Sequence, residues 1–217
     1  MTQKPRLLDL FCGPGGAAAG YQEAGFYVVG VDINPQPNYC GDEFWRGDAL
    51  NGIIAGDWDA IHASPPCQGY SVTRFRHPHI EYPDLIARTR ELLRSTGLPY
   101  VIENVPGAPL DPERTQMLCG VMFPELRVYR HRLFETTFCI APPEHTKHPK
   151  PVWPQHRRGA TEDDYITVTG DSGRRLASKA MGIGWMTGNE LSQAIPPAYT
   201  RHIGRELMRV IAQKQAA

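Results

Sequence analysis

Near its start, the chain passes from a buried strand through a glycine-rich turn, Gly13-Pro14-Gly15-Gly16, directly into a helix. The strand is predicted over residues 6–11 and the helix over 17–24, where Gly25 ends it. The other predicted elements are strands over 26–31, 53–63 and 99–102, helices over 82–95 and 199–213, and a regular segment over 189–194. This alternation favours an α/β fold in which a parallel sheet carries helices on both faces.

The composition is that of a globular protein with one core and a small appended lobe. Hydrophobic residues make up 41% of the 217 residues and charged residues 21%, both ordinary values for a folded domain. No apolar run approaches the about 20 residues of a membrane-spanning helix, and the first residues leave no room for a signal peptide. Five cysteines, an odd number without metal-type pairing, favour reduced thiols. We therefore expect a cytoplasmic protein.

The zero net charge conceals an asymmetry along the chain. Residues 1–64 carry eight acidic and three basic side chains, whereas residues 127–158 carry seven basic and two acidic ones. A basic segment on a neutral protein can mark the contact with a phosphate-bearing partner. A solvated face explains the same pattern, and charge alone does not decide between them.

The turn after the first strand has the features of a cofactor site. Gly13 and Gly15 allow a ligand to approach the backbone closely, and the helix start favours a negative group such as a carboxylate. Asp32 ends the next predicted strand and is placed to accept hydrogen bonds from ribose hydroxyls. Asp48, where a third strand should end, is placed to meet an adenine amino group. Similar turns occur in α/β proteins that bind no nucleotide, so the turn alone leaves both interpretations open.

A cysteine follows a second apolar stretch, in Ser64-Pro65-Pro66-Cys67-Gln68-Gly69. The prolines stiffen the chain as it leaves the sheet, at the edge where open α/β sheets bind ligands. Glu103 ends another predicted strand, so its carboxyl should face the same cleft. The pair suits addition to an electron-poor ring, because the sulfur attacks one carbon while the acid holds the adjacent nitrogen. The alternative is a buried, inert cysteine. Cations that could stabilise its thiolate are Arg74, Arg76, Arg130 and Arg132.

Several motifs in series resemble those of the 5-cytosine DNA methyltransferases, in the same order and spacing over residues 5–138 and 180–212. The motifs are Asp9-Leu10-Phe11-Cys12-Gly13-Pro14-Gly15-Gly16, Ser64-Pro65-Pro66-Cys67-Gln68-Gly69-Tyr70-Ser71, Glu103-Asn104-Val105, Arg130-His131-Arg132, Gly188-Asn189 and Ile195-Pro196-Pro197. The resemblance implies a Rossmann-like methyltransferase fold, S-adenosylmethionine as cofactor and double-stranded DNA as partner. It also implies a monomer in the cytoplasm of a bacterium or a phage-infected host.

The resemblance assigns roles to individual residues. Cys67 would add to C6 of a flipped-out cytosine and Glu103 would hold its N3. The implied catalytic residues are Cys67, Glu103, Arg130 and Arg132. The implied cofactor-binding residues are Asp9, Phe11, Gly13, Gly15, Asp32, Ile33, Asp48, Pro66 and Asn189. The implied DNA-binding residues are Gln68, Ser71, Arg74, Arg76, Arg157 and Arg158.

The chain departs from the family in two places. Val128 stands where the paired-arginine motif usually carries a glutamine. The region between the two catalytic segments, 1–138 and 180–217, is also short: residues 139–179 form a small, loop-rich target-recognition lobe. Few side chains are then available to read bases, so we expect a short or relaxed recognition sequence, or one set by DNA shape and phosphate contacts.

Histidines recur in this lobe, and they allow two interpretations. A zinc site could be made of Cys139, His145, His148 and His156. The spacing fits no standard zinc finger, and histidines also suit a basic surface that faces nucleic acid. We therefore predict no metal site. We interpret Cys12, Cys40 and Cys119 as core or turn residues without chemistry.

The sequence also allows alternatives to an enzyme that acts on duplex DNA, and they differ in whether they use the Cys67 thiol. Methylases of exocyclic amino groups need no thiol, so Cys67 argues against them. The RNA 5-cytosine methylases are a separate class, in which a second cysteine stands where this chain has Glu103. The same chemistry on tRNA, single strands or nucleotides stays open because the lobe is small. A non-catalytic DNA-binding homologue is a third possibility, against which the intact thiol and acid argue.

Overall fold

The computed structural model describes residues 3–51, 56–70, 79, 82–148, 153–154, 161–168 and 173–216. Within them, the main sheet has seven strands: β1 (Arg6–Leu10), β2 (Tyr27–Asp32), β3 (Glu43–Arg46), β4 (Ala60–Ala63), β5 (Tyr100–Asn104), β6 (Thr115–Leu118) and β7 (Arg132–Thr136). The helices are α1 (Gly16–Glu23), α2 (Ile86–Ser95), α3 (Arg174–Met181), α4 (Gly188–Gln193) and α5 (Pro197–Ala216). Two short strands, β8 (Trp153–Pro154) and β9 (Ile166–Thr167), form a separate pair.

The order of the strands in the main sheet is β3-β2-β1-β4-β5-β7-β6. Strands β1 to β5 pair in parallel, as the sequence predicts. Strand β7 runs antiparallel to both of its neighbours, β5 and β6, and no pattern in the sequence predicted it. Because of this reversal, the start of β7 lies beside the end of β5, with Leu133 opposite Asn104 and Phe134 opposite Glu103.

The core has one apolar cluster on each face of the sheet. Successive strand residues point to opposite faces, so Leu7 packs in one cluster and Leu8 in the other. The first cluster includes Tyr199 of α5 and residues of α1, α3 and α4. The second includes Ile86 and Leu93 of α2. The sheet therefore carries helices on both faces, which confirms the predicted α/β architecture.

An ion pair positions the reversed strand. Glu135 of β7 is fully buried, and Arg90 of α2 donates to it from Nε and Nη2 at 2.8 and 2.7 Å. The backbone N–H of Asp111 donates a further hydrogen bond to the same carboxylate at 3.0 Å. A buried charge needs such partners, so this contact couples the placement of β7 to that of α2.

The described part of residues 139–179 packs partly against the main core. Ile166 and Val168 are buried in the same cluster as α5, and Ile166 forms a β-bridge with Val128. Helix α3 crosses the predicted boundary between 179 and 180. The division into a catalytic domain and a recognition lobe stays a prediction. Within the described ranges, no helix has both the length and the apolar composition that a bilayer crossing requires.

Helices α1 and α5 approach closely because glycines face the contact. A Cβ on Gly20 would overlap the carbonyl oxygen of Pro197 and the hydroxyl of Thr200, and a Cβ on Gly204 would lie 2.7 Å from that of Ala24. The Thr200 hydroxyl also donates to the carbonyl of Ala17 at 2.9 Å. This contact holds α1, and with it the glycine-rich turn, against the sheet.

We expect Gly20→Ala to lower the free energy of unfolding by about 2 to 3 kcal/mol, because the added methyl group overpacks the α1–α5 contact. Denaturant unfolding monitored by circular dichroism measures the change. Gly184→Ala is the control: its Cβ would meet no atom within 4 Å, so its effect should stay within about 0.5 kcal/mol. Equal stabilities for the two variants would contradict this packing.

Candidate active site

A cavity of about 450 Å³ opens at the carboxyl ends of β1, β4 and β5. Parallel α/β sheets bind their ligands at this edge. The predicted site residues that line it are Asp9, Phe11, Gly13, Asp32, Ile33, Pro66, Cys67, Gln68, Glu103, Arg132 and Asn189. The fold thus brings members of both predicted sets, cofactor-binding and catalytic, to one cavity.

The turn after β1 is tight and its hydrogen bonds orient Asp32. Phe11 adopts a φ of 58°, rare for a residue with a side chain, and Gly13 a φ of 49°. The backbone N–H of Gly13 donates to Asp32 Oδ2 at 3.1 Å, and that of Asn34 donates to Oδ1 at 2.9 Å. The carboxylate that ends β2 is therefore fixed beside the glycine turn.

Gly15 contributes packing to this turn and does not line the cavity. It adopts a φ of 86°, and a Cβ there would lie 2.9 Å from Cys40 Sγ. The Cys40 thiol donates to its carbonyl oxygen at 3.1 Å. Asp48 also lies apart from the cavity lining, and its Oδ1 accepts from the backbone N–H of Leu50 at 2.9 Å. Cofactor contacts by Gly15 and Asp48 stay predictions.

Asp9 is a buried acid that has no hydrogen-bond partner among the described residues. Its carboxyl is fully buried, lines the cavity, and has no hydrogen bond to either oxygen within the described residues. Burial, with the neighbouring carboxylates of Asp32 and Glu103, raises the pKa of Asp9 well above its usual range. An orphaned buried acid of this kind fits a ligand that brings a cation or a hydrogen-bond donor.

The cysteine turn is anchored from the neighbouring strand. Asn104, at the end of β5, donates from Nδ2 to the carbonyl of Pro65 at 3.0 Å. The backbone N–H of Tyr70 donates to the carbonyl of Cys67, also at 3.0 Å. Cys67 is half-buried at the cavity wall. The amide that follows Glu103 in the sequence therefore has a structural role: it holds the cysteine turn beside the end of β5.

Glu103 is 7% exposed and pairs with Arg132, whose Nε lies 3.1 Å from Oε1. Burial raises the pKa of Glu103, while Arg132, a hydrogen bond from the Ser64 hydroxyl, and Arg130 oppose that rise. The net shift is upward. This carboxyl therefore holds a proton more readily than an exposed glutamate does.

The pKa of the Cys67 thiol is raised, whereas the sequence led us to expect a stabilised thiolate. Burial and the nearby Glu103 raise the pKa of Cys67, and Arg132 and Arg130 only partly offset the rise. Cations were expected to favour the thiolate, but burial has the larger effect on the pKa here. The other two candidate cations, Arg74 and Arg76, lie outside the described residues, as do Ser71, Arg157 and Arg158.

Arg130 does not line the cavity, although the sequence groups it with Arg132. Its guanidinium donates to the carbonyls of Val168 and Ser192, both at 2.7 Å, and its own carbonyl accepts from the Tyr199 hydroxyl at 2.7 Å. Burial, with the charge of Arg132, lowers the pKa of Arg130 to about 9. Arg130 thus joins the lobe, α4 and α5 behind the site.

A buried hydrogen-bond chain reaches the acid from behind the sheet. The Tyr21 hydroxyl lies 2.9 Å from His62 Nδ1, and His62 Nε2 lies 2.9 Å from Ser64 Oγ. Burial lowers the pKa of His62 to about 3, so the neutral ring accepts at one nitrogen and donates at the other. Ser64 in turn bonds Glu103. Sequence reasoning missed this chain, because only Ser64 lies in a motif.

Helix α4 adds further polar groups to the cavity. Glu190 and Gln193 line it beside the predicted Asn189. Glu190 also accepts from Asn38 Nδ2 at 3.0 Å, which ties α4 to the segment after β2. Gln193 could have been inferred from Asn189, because residues three to four apart share a helix face.

Comparisons with known proteins bear on this site. No family model matches the chain. The type II methyltransferase M.XorII of Xanthomonas oryzae pv. oryzae is 29% identical over 132 residues, which cover 51% of this chain. The chain spans 30% of the length of that curated relative.

Two solved structures share the architecture over nearly the whole chain. One is a protein assigned as a DNA modification methyltransferase and encoded within an E. coli prophage, with a TM-score of 0.65 at 14% identity over 96% of this chain and 99% of that one. The fold is that of a methyltransferase. The S. pombe Dnmt2 methyltransferase has a TM-score of 0.62, also at 14% identity, over 96% and 99%. The predicted Rossmann-like methyltransferase fold is thus confirmed, and the chain resembles a type II methyltransferase in sequence.

We expect Ser64→Ala to raise the pKa of Glu103, because it removes a hydrogen bond that favours the carboxylate. Titration of the Glu103 carboxyl by NMR, with ¹³C-labelled glutamate, measures the shift. Ser95→Ala, on the exposed end of α2, is the control and should leave the titration unchanged. A curve that stays in place or moves to lower pH in Ser64→Ala would contradict the role given to Ser64.

Proposed function

We propose that the chain transfers a methyl group from S-adenosylmethionine to C5 of cytosine in DNA. The observation that carries this proposal is the meeting of Cys67 with the buried Glu103–Arg132 pair in the cavity that also contains the glycine-rich turn. A nucleophilic thiol beside a carboxyl of raised pKa suits addition to a heteroaromatic ring. The similarity to DNA methyltransferases in sequence and fold supports the same reaction class.

The residues of the cavity fit the cofactor. Asp9 offers a buried carboxyl that has no hydrogen-bond partner in the described part of the chain, and Gly13 leaves open space because no described atom lies within 4 Å of its Cβ position. Asp32 presents a fixed carboxylate suited to ribose hydroxyls. Ile33 is 63% exposed at the cavity wall, an apolar surface suited to a flat adenine ring. When bound, the cofactor supplies an electrophilic methyl group.

Cys67 and Glu103 divide the activation of cytosine between them. The Cys67 sulfur gives up its proton and forms a bond to C6. The electron pair of the C5–C6 double bond moves into the C4–C5 bond, and the pair of the C4–N3 double bond moves onto N3. Glu103 stabilises the charge at N3 by holding a proton there, which its raised pKa favours. C5 then carries the electron density needed to take up a methyl group. Loss of the C5 proton to solvent, return of the N3 proton to Glu103 and departure of the thiolate restore the double bond and release 5-methylcytosine.

Arg132 and the groups behind it position this pair. The Arg132 guanidinium lies 3.1 Å from Glu103 and lowers the pKa of both Cys67 and Glu103, in opposition to burial. It therefore partly offsets the cost of a negative charge in a desolvated site. A base inside a duplex cannot reach such a cavity, so the cytosine has to leave the stack. Duplex DNA, a monomeric state and a cytoplasmic location stay predictions.

We expect release of tritium from C5-tritiated cytosine in duplex DNA with S-adenosylmethionine present. Cys67→Ser should lower the rate by at least about 10³-fold, because the adduct to C6 no longer forms. Cys139→Ser, an exposed cysteine outside the cavity, should retain the wild-type rate. A Cys67→Ser variant with near-normal turnover would contradict the covalent mechanism.

The same assay separates the substrates. C5-tritiated duplex DNA, tRNA and a free nucleotide are compared at equal cytosine concentration. We expect the duplex to give the highest rate. Release from tRNA alone would overturn DNA as the substrate and retain the chemistry, whereas no release from any of the three would overturn the proposed reaction.

A further inference from the structure

A second cluster of reactive side chains lies at the edge of the sheet, formed by β6 and β7. Cys119, His131, His145 and His148 each offer one ligand atom, and these four atoms all lie within 4.8 Å of one another. Cys119 directly follows β6 and His131 directly precedes β7. Because Leu118 pairs with Arg132 across these antiparallel strands, the next residues, Cys119 and His131, face each other.

Two of the distances within this cluster match a tetrahedral metal site. His131 Nε2 lies 3.3 Å from His145 Nε2, and Cys119 Sγ lies 3.6 Å from His148 Nε2. Zinc bonds of about 2.0–2.1 Å to nitrogen and about 2.3 Å to sulfur, in tetrahedral geometry, place two nitrogens about 3.4 Å apart and nitrogen and sulfur about 3.6 Å apart. Ordinary hydrogen bonds explain each pair separately. They do not explain why all four atoms converge.

We propose that Cys119, His131, His145 and His148 bind one zinc ion. One thiolate and three imidazoles form a donor set that suits zinc and contains none of the oxygen ligands that magnesium or calcium prefer. All four positions are taken by the protein, which is the arrangement of a structural zinc site. The proposal gives Cys119 a role that the sequence did not predict. Compared with the zinc alternative considered from the sequence, Cys119 and His131 take the places of Cys139 and His156.

The ion joins two parts of the chain that are otherwise weakly connected. Residues 141–148 form neither helix nor strand and are largely exposed. His145 and His148 belong to this segment, whereas Cys119 and His131 are held by the main sheet. The His148 ring also stacks on Tyr129, with centroids 4.0 Å apart. Zinc therefore fastens the start of the predicted recognition lobe beside the paired arginines.

Metal content tests the proposal without reference to activity. The purified protein is incubated with Zn²⁺, dialysed against metal-free buffer and measured by inductively coupled plasma mass spectrometry. We expect about one zinc ion per chain. Replacement by Co²⁺ should give the intense visible d–d bands of a tetrahedral site and a sulfur-to-metal charge-transfer band. Wild-type protein without bound zinc, or a Co²⁺ spectrum typical of six oxygen or nitrogen ligands, would overturn the proposal.

Variants identify the ligands. His145→Ala and His148→Ala change exposed side chains, so the fold should persist while zinc is lost. Cys119→Ser changes a buried residue, and its diagnostic result is the loss of the charge-transfer band from the Co²⁺ protein. Cys139→Ser and His156→Ala are the matched controls and should keep the metal. Zinc retained by the first three variants, or lost from either control, would overturn this ligand set.

Removal of the metal should also lower stability. A ligand that binds only the folded state stabilises it by mass action. We expect a strong chelator to lower the melting temperature of the wild type by at least about 5 °C. The same treatment should leave His145→Ala unchanged. An equal effect on both proteins would contradict a site that contains His145.

Discussion

The ion pair between Arg132 and Glu103 connects the reversed strand β7 to the strand ends that form the cavity. Its 3.1 Å separation depends on the antiparallel register of β5 and β7, which places the start of one strand beside the end of the other. Glu103 is almost fully buried, so its charged form depends on partners such as Arg132. Loss of one member of a buried pair typically costs about 3–5 kcal/mol. The pair thus links the stability of the sheet to the chemistry of its edge.

The three consecutive residues 130–132, at the start of β7, contact three different parts of the molecule. Arg132 faces the cavity and Glu103. Arg130 is buried outside the cavity lining and donates to carbonyls of the lobe and of α4. His131, between them, contributes to the Cys119 cluster. The start of β7 therefore couples the proposed cytosine pocket, the predicted recognition lobe and the proposed zinc site, and a displacement there would reach all three.

Local patterns were sufficient for much of the fold and of the cavity. The turn at Gly13 and the thiol of Cys67 each follow a strand whose hydrophobicity is read directly from neighbouring residues. Parallel strands then bring their carboxyl ends together without further information, which is why Glu103 could be placed beside Cys67. These predictions needed only the position of each residue within its own strand.

Contacts between distant segments could not be read in the same way. The reversal of β7 depends on tertiary pairing, and so does the meeting of Cys119 with His131. His62 and Tyr21 lie in unremarkable stretches, yet burial makes them a hydrogen-bond chain behind Ser64. Likewise, the sequence suggested cations that would lower the pKa of the Cys67 thiol, but burial raises it. Each of these features is a property of packing, which the order of residue types does not encode locally.

The covalent bond between Cys67 and the cytosine ring is the step on which the proposed function depends, and it can be trapped. A duplex of mixed sequence that carries 5-fluorocytosine is incubated with the protein and S-adenosylmethionine, because fluorine at C5 cannot leave as the proton does. Mass spectrometry of the digested complex should find the base attached to the peptide that contains Cys67. Absence of this adduct from the wild-type protein, under conditions where the unmodified duplex is methylated at C5, would contradict the mechanism.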